Sequence, residues 1–96
     1  MDIFEFRKSL KDDCLPLGLS VHLQALWLDA RGDWQGAHAL IDQLPDQSSA
    51  SLHAYLHRKE GDQWNADYWY FRAGEKRFQG SLEEEWEKLA KYFLSK

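Results

Sequence analysis

The chain has 96 residues, 44% hydrophobic and 29% charged, with a formal net charge of -4. That size means a single domain, 1–96, burying roughly 65% of its extended-state area, and the apolar share excludes a disordered chain. Scattered basic residues on an acidic background exclude a nucleic-acid backbone as partner, and without a run of 18 apolar residues no membrane span is expected.

Cys14 is the only cysteine, so no intrachain disulfide is available. The opening stretch MDIFEFRKSLKDD lacks the long apolar core of a secretion signal. Together these favour a reducing, cytoplasmic setting.

In chain order, Ile3, Phe6 and Leu10 share one side of a short N-terminal helix that needs packing to persist. Pro16 and Gly18 break the chain, and Ser20 is placed to cap a helix over Val21–Arg31. Leu19, Leu23, Leu26, Trp27 and Ala30 follow helical spacing, while Val21, Ala25 and Leu28 extend the apolar surface, as expected near a bundle centre. Gly32 supplies a left-handed terminator and Asp33 caps the next helix, whose stripe is Trp34, Ala37, Leu40, Ile41 and Leu44. Pro45 stops it, and Asp46–Ser49 reads as a polar connector.

A third helix is predicted over about Ala50–Glu60, burying Leu52, Tyr55 and Leu56. Gly61-Asp62 repeats the terminator and cap, and the next helix spans about Gln63–Ala73, with Gly74 beyond its end. Ser81 and Glu84 form a capping box for a last helix, with Leu82, Trp86, Leu89, Ala90 and Phe93 on its inner side. Glu83, Glu84, Glu85 and Glu87 lie near its positive end and read as a solvated face. Nothing reads as a sheet.

The first and second helical hairpins, 20–45 and 49–74, are followed by the C-terminal helix, 80–95. The hairpins carry an internal repeat. Ala25–Ile41 (ALWLDARGDWQGAHALI) and Ala54–Tyr70 (AYLHRKEGDQWNADYWY) are offset by 29 residues, each with Gly-Asp seven and eight positions after the first Ala and another Ala five after the Gly. Helical hairpins cannot bury their apolar faces alone, so repetition points to stacking. Ala37 and Ala66 then mark close helix approaches.

Across 20–74 the pattern resembles the tetratricopeptide repeat. Gly32, Trp34 and Ala37 match in the first copy, and Gly61, Ala66, Tyr70 and Ala73 in the second. Gln63 stands where the first copy has Trp34, the tryptophan having moved to Trp64, and the period is shorter than the family's roughly 34 residues. The chain reads as an all-α fold of about five helices in stacked hairpins, and the resemblance implies a TPR-like right-handed arrangement with a groove for a peptide or partner helix. The segment HAYLHRKEGDQWNADYWYFRAG is also similar to a small group of bacterial proteins, a likeness that implies no activity.

The candidate partner-binding residues are His53, His57, Arg58, Trp64, Tyr68 and Arg72. Aromatic rings and arginine bury much area while keeping a polar handle, as interface anchors do. Trp64, Tyr68 and Phe71 point away from the side bearing Ala66, Trp69, Tyr70 and Ala73. Arg58 beside His57 and Tyr68 suits a carboxylate or phosphate. The function expected is non-catalytic recognition of a protein or peptide, a second copy closing a homodimer being one such partner.

The alternative is a small metal-binding protein or a metal-dependent hydrolase. His53 and His57, four apart, share a helix face and could hold zinc with Glu60 or Asp62 as a third ligand. His22 and His38 read as helix-surface residues. No cofactor other than zinc is indicated. Cys14 lies beside Asp12 and Asp13, which discourage a thiolate, and no nucleophile arrangement or phosphate loop stands out.

Overall fold

The computed structural model describes all residues, Met1–Lys96. It is all-α, with six helices: α1 (Ile3–Lys11), α2 (Val21–Ala30), α3 (Trp34–Ile41), α4 (Gln47–Lys59), α5 (Gln63–Ala73) and α6 (Leu82–Leu94). No helix is long and apolar enough to cross a membrane.

The two Gly-Asp corners are equivalent in detail. Gly32 and Gly61 both take φ +88°, a conformation open to glycine but strained for other residues. At each corner the glycine N–H donates to Asp29 or Arg58, and the following aspartate N–H donates to Leu28 or His57. These paired bonds occupy the last carbonyls of α2 and α4 in a Schellman ending. Asp33 and Asp62 then cap α3 and α5 from matching backbone geometries, φ/ψ -100°/71° and -100°/76°, accepting from the N–H groups of Gly36 and Asn65. Ala37 and Ala66 are fully buried. The hairpins α2–α3 and α4–α5 make the two most extensive helix pairings in the molecule.

The helix count and two boundaries differ from the sequence reading. The fold has six helices rather than five because α1 is held by tertiary contacts: Phe6 is fully buried and stacks on Trp86, and the Trp27 indole N–H donates to Ser9 Oγ at 3.1 Å. The second hairpin begins earlier than residue 49, since Asp46 is the N-cap of α4 and accepts from the Ser49 N–H at 3.0 Å. The supposed connector is therefore a cap and first turn. In the other direction α3 ends at Ile41, before Pro45.

The main core joins α1, α2, α3, α4 and α6 around Phe6, Leu26, Ile41, Leu52 and Leu56. Ala54, Ala66 and Tyr70 form a smaller cluster between α4 and α5, with Trp69 against it. α4 thus touches both cores, and its side chains reach in several directions.

Candidate functional site

α4 and the end of α2 carry most of the buried polar chemistry. Asp29 and Glu85 are only 1% and 3% exposed, and each is neutralised from α4. Asp29 accepts from the Tyr55 hydroxyl at 2.6 Å and from Lys59 Nζ at 2.9 Å. Glu85 accepts from Arg58 Nη1 at 2.9 Å and from the Tyr70 hydroxyl at 2.5 Å. Burial and the adjacent carboxylates push both phenols well above the usual tyrosine range, so they remain neutral donors.

The acidic run at the start of α6 is therefore not a uniformly solvated face. Glu83 and Glu84 are exposed, whereas Glu85 is an interior anion. Arg58 is drawn to it and also donates to the Gly80 carbonyl. Its guanidinium lies over Phe78, not in a groove beside Tyr68 and His57.

On another side of α4, three imidazoles converge. One ring nitrogen from each of His38, His53 and His57 lies within 4.8 Å of the others. His38 comes from α3, and the other two stand one turn apart on α4. The His38 ring meets His53 and His57 edge-on at centroid distances of 5.2 and 5.4 Å. Trp34 stacks on His38 at 4.9 Å and Trp69 stacks on His53 at 4.0 Å, so indoles from α3 and α5 wall the cluster. Trp34 is pinned by its own N–H, which donates to the Leu56 carbonyl at 2.7 Å.

Hydrogen bonding assigns protons to two of the rings. His53 Nε2 faces the Ile41 carbonyl at 3.2 Å, an acceptor only, so the proton sits on Nε2. His53 Nδ1 therefore keeps a lone pair, and it is the one buried side-chain nitrogen or oxygen without a hydrogen-bond partner. His57 Nδ1 donates to the Glu60 carboxylate at 2.6 Å, which leaves Nε2 as the nitrogen not engaged by Glu60. A carboxylate behind an imidazole is the usual support of a metal-ligating histidine. His38 Nε2 lies 3.8 Å from Asp42, near enough for charge to orient it. Burial, then the nearby His38, holds the His53 imidazole below its ordinary range, which keeps it neutral.

A second group, His57, Glu60 and Asp62, is equally compact, but its oxygens have work already. Glu60 holds His57, and Asp62 accepts from both the backbone and the side-chain amide of Asn65.

The residues singled out in the sequence separate into two sets. His53 is 1% exposed, so it is not on a surface, and His57 is only partly accessible. Trp64 and Phe71 are 78% and 82% exposed, and Tyr68 is also out in solvent, where its hydroxyl accepts from Arg72 at 3.0 Å. Arg72 lies over both Tyr68 and Trp69. The sequence missed His38 as a companion of the α4 pair, because only the α3–α4 packing brings it there. No family model, curated protein or solved structure matches the chain.

Proposed function

We propose that the cluster of His38, His53 and His57 binds one divalent transition-metal ion, with zinc the best suited. The observation that carries this reading is the buried His53 Nδ1, a lone pair with no partner beside two further imidazoles. A buried acceptor left unpaired costs free energy comparable to a lost hydrogen bond, and a metal cation is the group that an imidazole lone pair with two further imidazoles beside it would accept there. A tetrahedral zinc with bonds of about 2.0–2.1 Å spaces its ligands ~3.4 Å apart, so modest side-chain rotations would complete the set. Three protein ligands leave the fourth position for water or another donor.

The test is metal uptake by tag-free protein stripped with chelator. Native mass spectrometry is expected to show one zinc per chain, lost in the double variant His38→Ala/His57→Ala while circular dichroism stays helical. Undiminished uptake in that variant, or none in the parent at micromolar zinc, overturns the reading.

The second reading is recognition of a protein or peptide by a TPR-like stack, and it rests on a separate observation. Trp64, Tyr68 and Phe71 follow one another at helical spacing on the outer side of α5 and stay exposed, with Arg72 beside them. The matching Gly-Asp corners favour the tetratricopeptide-like arrangement of the hairpins. A homodimer through α5 is one form of this reading, and the exposed Cys14 suits a reducing compartment such as the cytoplasm. Mass measured across a concentration series tests the dimer; a monomer throughout removes it.

A further inference from the structure

α4 borders a recess on the side away from the histidines. A cleft of about 570 Å³ opens where the end of α1, the end of α2, the end of α4 and the start of α6 meet. That volume lies within the range of small-molecule sites, roughly 300–1,000 Å³. The other sizeable recess, between α4 and α6 near Tyr92, is about 210 Å³.

We propose that this cleft binds a small amphiphilic carboxylate, its apolar body against Leu10, Leu82 and Trp86 and its head group toward Lys59 and Lys11. The apolar side is firm. Trp86 is held by its indole N–H donating to the Leu26 carbonyl at 3.0 Å and by stacking with Phe6, so its ring is fixed before any ligand arrives. Leu10 and Leu82 are half-buried and flank the opening from α1 and α6.

The head group is assigned from how the charged residues of the lining are already paired. The lining holds three cations, Arg7, Lys11 and Lys59, against two carboxylates, Asp29 and Glu83. Asp29 is already answered: its two oxygens accept from the Tyr55 hydroxyl and from Lys59. It therefore fixes the position of the lysine more than it attracts a second cation. Lys59 directs two contacts at Asp29, one to the side chain and one to the backbone carbonyl, and an ammonium has three protons. Arg7 spends its charge on Glu87 at 2.5 Å, while Lys11 makes no ion pair. An incoming carboxylate thus meets one ammonium held in place and one free. Glu83, also unpaired, is the group that would favour a cation instead.

Octanoate, octanol and octylammonium, titrated into the full chain and followed by amide chemical shifts, separate these cases. Octanoate is expected to bind saturably, with shifts at the ends of α1 and α2 and the start of α6. Octanol should bind at least ~10-fold more weakly, the factor that corresponds to about 1.4 kcal/mol. Lys11→Gln, on an exposed residue, should weaken octanoate several-fold and leave octanol unchanged. Ala30→Trp, a cleft residue open to solvent, should block octanoate while thermal unfolding stays cooperative. Tighter binding of octylammonium, no saturation at millimolar octanoate, or binding indifferent to Ala30→Trp overturns the proposal.

Discussion

Two sides of α4 handle buried polarity in opposite ways. Tyr55 and Lys59 lie two residues along from His53 and His57, which at 100° per residue turns them about 200° around the helix. Toward α2, Asp29 is closed off by a phenol and an ammonium; toward α6, Glu85 is closed off by a phenol and a guanidinium. Toward α3 and α5, three imidazoles gather with no carboxylate at their centre, and one buried nitrogen has no partner. A closed set of charges holds helices together. An open set holds a place for something else.

Breaking a closed set is expected to produce the largest effect. Glu85→Ala leaves the Tyr70 hydroxyl and the mostly buried Arg58 without their acceptor. Removing one member of a buried pair typically costs about 3–5 kcal/mol, so urea denaturation should show a loss of this order. The neighbouring Glu83→Ala, on an exposed residue, should stay within about 0.5 kcal/mol. Equal losses from the two glutamates would erase the distinction between an interior anion and a solvated one.

Acidification probes two of the imidazoles, His22 and His53. Burial holds His22 below its ordinary range, outweighing the opposing pull of Asp46, as burial does for His53. The Ser49 hydroxyl donates to Asp46 and accepts from His22 at 2.7 Å, and the His22 ring stacks on Phe93. Below about 6.5, the usual histidine value, the unfolded chain takes up protons that the folded one refuses. Stability of metal-free protein is therefore complete above that pH and falls as the solution is acidified through it. His22→Gln should flatten part of the slope in melting temperatures measured from pH 7.5 to 5. Stability that rises on acidification would reverse the assigned direction.

Within the open set, the same logic predicts a small cost. His53→Phe removes the unpaired nitrogen and keeps a ring against Trp69, and the Ile41 carbonyl still accepts from the Leu44 N–H at 3.1 Å. The variant gives up the single Nε2–Ile41 hydrogen bond while the carbonyl keeps its other donor, so the metal-free variant should fall within about 1 kcal/mol of the parent. Zinc uptake should vanish in the same protein. A loss as large as that of Glu85→Ala would place His53 among the structural polar groups.

The local turns were far more legible than the long-range partners. Gly-Asp at two corners, Ser20 and Ser81 as caps, and Ala37 and Ala66 at close approaches are each written within a few residues, because turn and cap chemistry is local. α1 was harder to weigh, since a nine-residue helix depends on Phe6 finding Trp86 at the other end of the chain. Glu85 was hidden for the same reason: a glutamate in a run of glutamates reveals its burial only through Arg58 and Tyr70. The α4 histidine pair showed in its spacing. Their third companion did not, because the 14 residues between His38 and His53 carry no sign that α3 lays His38 against them.

The smallest effect belongs to the outer side of α5. Trp64 and Phe71 sit on the same helix as Tyr70 and Ala66, yet their exposure leaves little apolar area to lose on substitution. Trp64→Ser and Phe71→Ser should each change the unfolding free energy by about 0.5 kcal/mol or less, as surface changes away from structural features do. Natural sequences gain no fold stability from large rings in water, so neutrality here would leave solubility and association as the properties these residues govern. The double variant should therefore keep the parent's melting temperature while lowering retention on a hydrophobic-interaction column. A drop of several degrees would instead mean that the rings are packed in solution, and α5 would then belong with the closed sides of the molecule.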